Sequence, residues 1–154
     1  MKKQRIYLDT SVFGGLYDEE FKEFTEPLFE RIKKSEFEII YSNITEKELQ
    51  NAPKYIKSTV KLLPDTTTEY VKSDIETAKL AKKYIEEGVV GATSYTDCLH
   101  IALATKHNAN ILISWNFKHI VNVVRIIGYN SVNISQGYKP IDIRSPRELM
   151  NYEN

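Results

Sequence analysis

Short apolar runs alternate with longer stretches of helical periodicity along this chain. Four of the runs read as strands: RIYL at 5–8, FEIIYS at 37–42, ANILIS at 109–114 and YKPIDIRS at 138–145. Each is short and rich in β-branched or aromatic residues. Between the first two, EEFKEFTEPLFERIKKSE spaces Phe21, Phe24, Leu28, Phe29 and Ile32 along one helix face. Its closing turn carries Arg31, Lys33 and Lys34, where cations suit the helix dipole. Residues 42–63 predict a short helix, a break at Pro53 and a second helix. Residues 66–88 predict one long amphipathic helix ended by Gly88. A further helix over 93–110 puts Leu99, Ala102 and Leu103 on one face, a late apolar helix follows over 118–133, and SPRELM supplies a short terminal one. Strands that alternate with helices, three of them apolar enough to be buried on both faces, predict an α/β fold: a parallel sheet covered by helices on each side.

Composition narrows the function without naming it. The 154 residues suit a single domain spanning 1–154 with a sizeable core. Lys plus Arg equals Asp plus Glu, so formal net charge is zero and the totals do not suggest a strongly basic nucleic-acid binder, although a local basic patch remains compatible. One cysteine, Cys98, excludes an internal disulfide framework and fits a reducing cytoplasm. The basic start MKKQR has no apolar stretch behind it long enough for a signal peptide, and no window approaches a membrane span. The phosphate-binding glycine fingerprints are missing: FGGLYDEE has neither the GxGxxG spacing nor a following Lys-Ser/Thr.

Functional residues of parallel α/β sheets gather just beyond the carboxyl ends of the strands. Asp9 follows the first strand directly. Glu48 lies six residues past Ser42, Asp97 falls in the first turn of the helix before the third strand, and Asn116 lies two residues beyond Ser114. Each has a local explanation. Asp9 and Asn116 are acceptable helix N-caps, while Thr45 with Glu48 and Ser94 with Asp97 match the capping-box spacing. Taken together, several carboxylates at one end of a sheet repel one another and call for a cation. Hard oxygen donors suit Mg²⁺ or Mn²⁺, whose bound waters attack phosphodiesters. The set therefore reads as a hydrolytic metal site.

These blocks resemble the PIN-domain family, the small nuclease fold of many prokaryotic toxins of the virulence-associated protein C type. YLDTSVF is similar to the family's opening strand and Asp; YSNITEKEL to its second block, with Glu48; YTDCLHIALA to its third, with Asp97. ILISWN lies where the family has a strand, a Thr or Ser, and often a fourth Asp. The resemblance runs in order from about Arg5 to Arg144. It implies a three-layer α/β/α fold with a mainly parallel sheet of about five strands, and a divalent-metal-dependent ribonuclease. It implies catalytic and metal-binding roles for Asp9, Glu48 and Asp97, with Asn116, Thr10 and Ser114 as accessory positions. RNA as substrate, a cognate antitoxin as partner and a homodimer follow from the same resemblance. The departure is Asn116, which accepts hydrogen bonds but adds no charge and so puts a second metal in doubt. Phe117, Lys118 and His119 also depart from the usual spacing of an aromatic three residues after that Asp.

Other residues carry two readings each. His100, three residues after Asp97, is either a packed structural histidine or a group that orients phosphate or water. Trp115 is either a base-stacking surface or a core anchor. Thr10 and Ser11 either donate to a ligand or cap a helix. Cys98 reads as an inert buried thiol, and Lys72, Lys79, Lys82 and Lys83 as either a solvated helix face or a basic rim for RNA. Two other functions compete with the nuclease. A non-catalytic descendant that binds RNA or protein is motivated by Asn116. A phosphohydrolase of the D-x-D type is disfavoured, because Ser11 stands two residues after Asp9.

Overall fold

In the computed structural model, which describes residues 2–153, five parallel strands form one sheet. They are β1 (Arg5–Leu8), β2 (Glu38–Ser42), β3 (Thr68–Val71), β4 (Ile111–Ile113) and β5 (Asp142–Arg144), in the order β3-β2-β1-β4-β5. Among the described residues, eight α-helices connect and cover them: α1 (Thr10–Gly15), α2 (Lys22–Lys33), α3 (Asn43–Gln50), α4 (Lys54–Lys57), α5 (Ile75–Glu86), α6 (Tyr95–Lys106), α7 (Val123–Ser135) and α8 (Pro146–Glu153).

The two faces of β1 show why this is a three-layer α/β/α structure. Tyr7 points into a core built with Leu80, Tyr84, Ile101 and Tyr129 from α5, α6 and α7. Ile6 and Leu8 point the other way, into a core with Phe13, Leu28, Phe29 and Leu149 from α1, α2 and α8. Both faces exclude water, so the inner strands are apolar at successive positions rather than at alternate ones. Helix α6 is buried almost all round, from Cys98 and His100 through Thr105.

The sheet departs from the sequence pattern in one place. Thr68–Val71, expected as part of a long helix over 66–88, is the edge strand β3, and α5 starts only at Ile75. Asp74 caps that helix, accepting from the Thr77 backbone N–H at 2.9 Å, while Thr77 Oγ1 accepts in turn from the Asp74 N–H at 2.8 Å. This reciprocal cap stops the helix from extending backwards. The late apolar helix is also shifted. Residues 117–120 form turns, and α7 begins at Val123 behind an Asn122 cap. None of the described helices is long and apolar enough to cross a membrane.

Chain order reverses between β1 and β4, the crevice in which open α/β sheets place their ligands. Leu8 pairs with Ile113 across that junction, so the next residues, Asp9 and Ser114, emerge side by side.

Candidate functional site

Asp9 stands at the end of β1, only 5% exposed, and its side chain is held from three directions. Ser11 Oγ donates to Oδ2 at 2.7 Å, Ser114 Oγ donates to the same oxygen at 2.8 Å, and the Ser11 backbone N–H reaches it at 3.4 Å as the cap of α1. A buried carboxylate needs such donors, because desolvation without them would drive it to its neutral form. Ser11 is tied in turn to β4, since its Oγ accepts from the Trp115 N–H at 2.9 Å. The cap reading of Asp9 is thus correct as far as it goes, and the other oxygen, Oδ1, lies 3.4 Å from His100 Nε2.

Glu48 comes from the second turn of α3. The T-x-x-E capping reading fails here: the cap of α3 is Ser42, whose Oγ accepts from the Thr45 N–H at 3.2 Å. The Glu48 side chain instead receives Thr10 Oγ1 at 2.6 Å and His100 Nε2 at 2.6 Å on Oε1. Burial works to raise its pKa, but the hydrogen bonds from His100 and Thr10 and the His100 charge outweigh it, and the carboxyl sits below its usual range.

His100 joins the two carboxylates, a place that its spacing from Asp97 does not reveal. It is fully buried, with Nε2 at 2.6 Å from Glu48 and 3.4 Å from Asp9 Oδ1. Its Nδ1 lies 2.7 Å from the Tyr7 hydroxyl, which lies 2.7 Å from Ser42 Oγ. Burial disfavours the imidazolium; Tyr7, the Glu48 hydrogen bond and the charges of Asp9 and Glu48 override it and raise the pKa well above the ordinary value. Glu48 as a carboxylate only accepts, so Nε2 carries the proton between them. Ligand atoms of Asp9, Glu48 and His100 lie within 4.8 Å of one another. With Nε2 protonated, however, the histidine acts as an internal counter-charge rather than as a metal donor.

Asp97, in the first turn of α6, lies outside that tight group. Its Oδ1 accepts from Asn116 Nδ2 at 3.4 Å. Burial, and next the negative charge of Asp9, push its pKa up. That repulsion records an excess of negative charge in one place. The S-x-x-D cap is absent, because Ser94 makes no side-chain cap bond. Asn116 does not cap a helix either: its Oδ1 accepts from the Lys118 and His119 N–H groups at 3.2 and 3.0 Å and closes a turn. Ser114 Oγ bridges Asp9 and the Asn116 N–H, the latter at 2.9 Å.

The donor set fits a hard divalent cation. Asp9, Glu48 and Asp97 supply carboxylate oxygens from three elements, and Glu48 and Asp97 are accessible at the rim. Trp115 is a core anchor: it is 6% exposed, its Nε1 donates to Thr25 Oγ1 at 2.9 Å, and its ring stacks on Phe21 with centroids 4.1 Å apart. Cys98 is buried, its thiol pushed up to about 12 by desolvation and the neighbouring Asp97 charge.

Acidic side chains at the carboxyl ends of a helix-covered parallel sheet are where an open α/β fold places its ligand, and their chemistry suits a divalent cation. The PIN domain family model matches residues 6–118, and the chain belongs to that family, whose members are generally nucleases. Among solved structures, it resembles a chain in the crystal structure of VapBC2 from Rickettsia felis bound to a DNA fragment from their promoter. The TM-score is 0.55 at 13% identity, over 92% of this chain and 98% of that one. No curated protein matches the sequence.

Proposed function

We propose that this protein is a divalent-metal-dependent endoribonuclease and the toxin of a type II toxin–antitoxin pair. The observation that carries the reading is the convergence of Asp9 and Glu48, with Asp97 beside them, at the switch point between β1 and β4. Asp9, Glu48 and Asp97 would hold Mg²⁺ or Mn²⁺. A bound cation of this kind supplies a water of lowered pKa and offsets charge on the phosphate. The chain's own residues prepare the site. Ser11 and Ser114 fix the Asp9 carboxylate, Thr10 and His100 fix Glu48, and Asn116 steadies Asp97. The antitoxin partner is supported by the VapBC2 resemblance, since that structure contains a toxin–antitoxin complex. A homodimer is supported by the apolar surface of α7, where Val123, Val124, Ile127 and Ile134 are exposed.

The test is cleavage of structured RNA by highly purified protein in Mn²⁺, with and without chelator, beside Asp97→Asn. Asp97→Asn is nearly isosteric and removes only the charge, so it separates a cation ligand from a structural side chain. Loss of cleavage with an unchanged melting temperature is expected. Full retention of activity, or no cleavage by the wild type across several RNAs, refutes the reading.

A second reading, a catalytically weakened domain that binds RNA or protein, draws on two observations. Asn116 brings no charge to its position, and His100 Nε2 already occupies the space between the carboxylates, 2.6 Å from Glu48 and 3.4 Å from Asp9. Under that reading metal addition leaves both RNA integrity and the melting temperature unchanged.

A further inference from the structure

We infer that the exposed ring pair Tyr17–Tyr55, with the lysines of the segment that follows Pro53, forms a track for single-stranded RNA leading away from the acidic site. The inference rests on the RNA-cleaving reading for the identity of the ligand. Tyr17 and Tyr55 are 53% and 54% exposed, yet their rings meet edge to face, with centroids 4.8 Å apart and planes at 73°. Large exposed aromatics that touch each other rather than the core offer π-surface to a ligand. An edge-to-face pair leaves ring face uncovered for an unstacked base.

Position ties this pair to the chemistry. Thr10, which opens α1, touches Glu48 of α3 at 2.6 Å. Seven residues on in each segment, Tyr17 touches Tyr55. Gly14, four residues after Thr10 and so on the same side of α1, has nothing within 4 Å of where its Cβ would stand. Gly14 therefore leaves open space along that side of α1. The stretch KYIKSTVKL, residues 54–62, carries Lys54, Lys57 and Lys61 and no carboxylate. All three lysines are exposed.

The positive charge is confined to the Tyr55 side of the ring pair, where residues 54–62 hold three lysines and no carboxylate. Rings for bases and ammonium groups for phosphates make up the recognition chemistry of single strands without sequence preference. Asp18, Glu19 and Glu20 follow Tyr17 and repel phosphate, which favours passage over the lysine side. A duplex would keep its bases stacked and leave the rings unused.

The test is fluorescence anisotropy of labelled oligo(U) and oligo(A) ribonucleotides in EDTA, so that binding is read apart from metal and cleavage. Tyr17→Ala with Tyr55→Ala is expected to weaken binding about tenfold, whereas the Phe pair stays within about twofold of wild type. Lys54→Gln, Lys57→Gln and Lys61→Gln together are expected to lower the slope of log affinity against log salt by about 2. Lys79→Gln with Lys82→Gln, on α5, is the control that leaves binding unchanged. If the Ala pair melts early, the Leu pair, which keeps apolar contact without a π-face, carries the same expectation. RNA binding by either pair at wild-type strength overturns the track, as does failure of the wild type to bind. Ala variants that keep RNA binding but lose a protein partner assign the patch to protein docking and equally overturn it. Metal-dependent cleavage with Tyr-independent binding overturns the track and spares the nuclease. Tyr-dependent binding without cleavage in Mn²⁺ does the reverse.

Discussion

Replacing His100 by Gln removes the internal counter-charge of the site while leaving an amide that can still donate to Glu48. In the wild type Nε2 lies 2.6 Å from Glu48 and 3.4 Å from Asp9, with the imidazole fully buried. Removing one partner of a fully buried ion pair costs about 3–5 kcal/mol, because the remaining charge is stranded. The Glu48 side chain is 40% exposed, so water screens part of that loss, and the residual amide hydrogen bond recovers more. The expected destabilisation is about 2–3 kcal/mol. For a chain of this size each kcal/mol moves the midpoint by about 2–4 °C, which gives a fall of roughly 5–10 °C. The cation of the proposed reaction would balance the same two carboxylates. Mn²⁺ is therefore expected to raise the melting temperature of His100→Gln more than that of wild type; a hundredfold excess over Kd stabilises a binding protein by about 2.7 kcal/mol in all. The assay is differential scanning calorimetry of both proteins in EDTA and in millimolar Mn²⁺. A variant that melts with wild type in EDTA refutes the counter-charge argument. Equal Mn²⁺ shifts in the two proteins refute the competition between imidazolium and metal.

Three further outcomes are expected. Gly15→Ala should destabilise the protein by about 1–3 kcal/mol in urea titration, because its Cβ would lie 2.7 Å from both Thr25 Oγ1 and Trp115 Nε1, whereas Gly14→Ala, whose Cβ meets nothing, should not. Asp74→Asn keeps the cap of α5 but loses the Lys106 pair, whose hydrogen bond is the main cause of an Asp74 pKa lowered to about 2. The folded pKa is depressed, so the wild-type advantage should be full above about pH 4 and close as pH falls through about 2, measured as the gap between melting curves. Asn116→Asp adds a carboxylate beside Asp97 and should tighten Mn²⁺ binding in calorimetric titration; unchanged affinity would place that side chain outside the cation's reach.

Much of the fold was legible because its signals are local. Residues 6–8, 39–41 and 111–113 are short continuous apolar runs, as strands covered on both faces require. Thr68–Val71 failed that test because it is an edge strand, exposed at Glu69 and Tyr70, whose pairing with β2 comes from contacts nearly thirty residues away in sequence. Its polar alternation merged with the helix behind it until the Asp74–Thr77 cap divided them.

The chain alone singled out Asp9, Glu48 and Asp97 as chemically important, since carboxylates just past buried strands are costly unless used or paired. It could not rank their neighbours. The T-x-x-E and S-x-x-D spacings suggested caps that do not form, because a capping box depends on where the helix starts, and α3 starts at Asn43 behind Ser42. Ser11 and Ser114, more than a hundred residues apart in sequence, converge on one Asp9 oxygen only through the β1–β4 register. His100 was decided last and least locally. Its charge is stabilised by Tyr7 from β1, Glu48 from α3 and Asp9 beyond β1, and no pattern on α6 encodes partners that only the closed sheet brings within hydrogen-bonding distance.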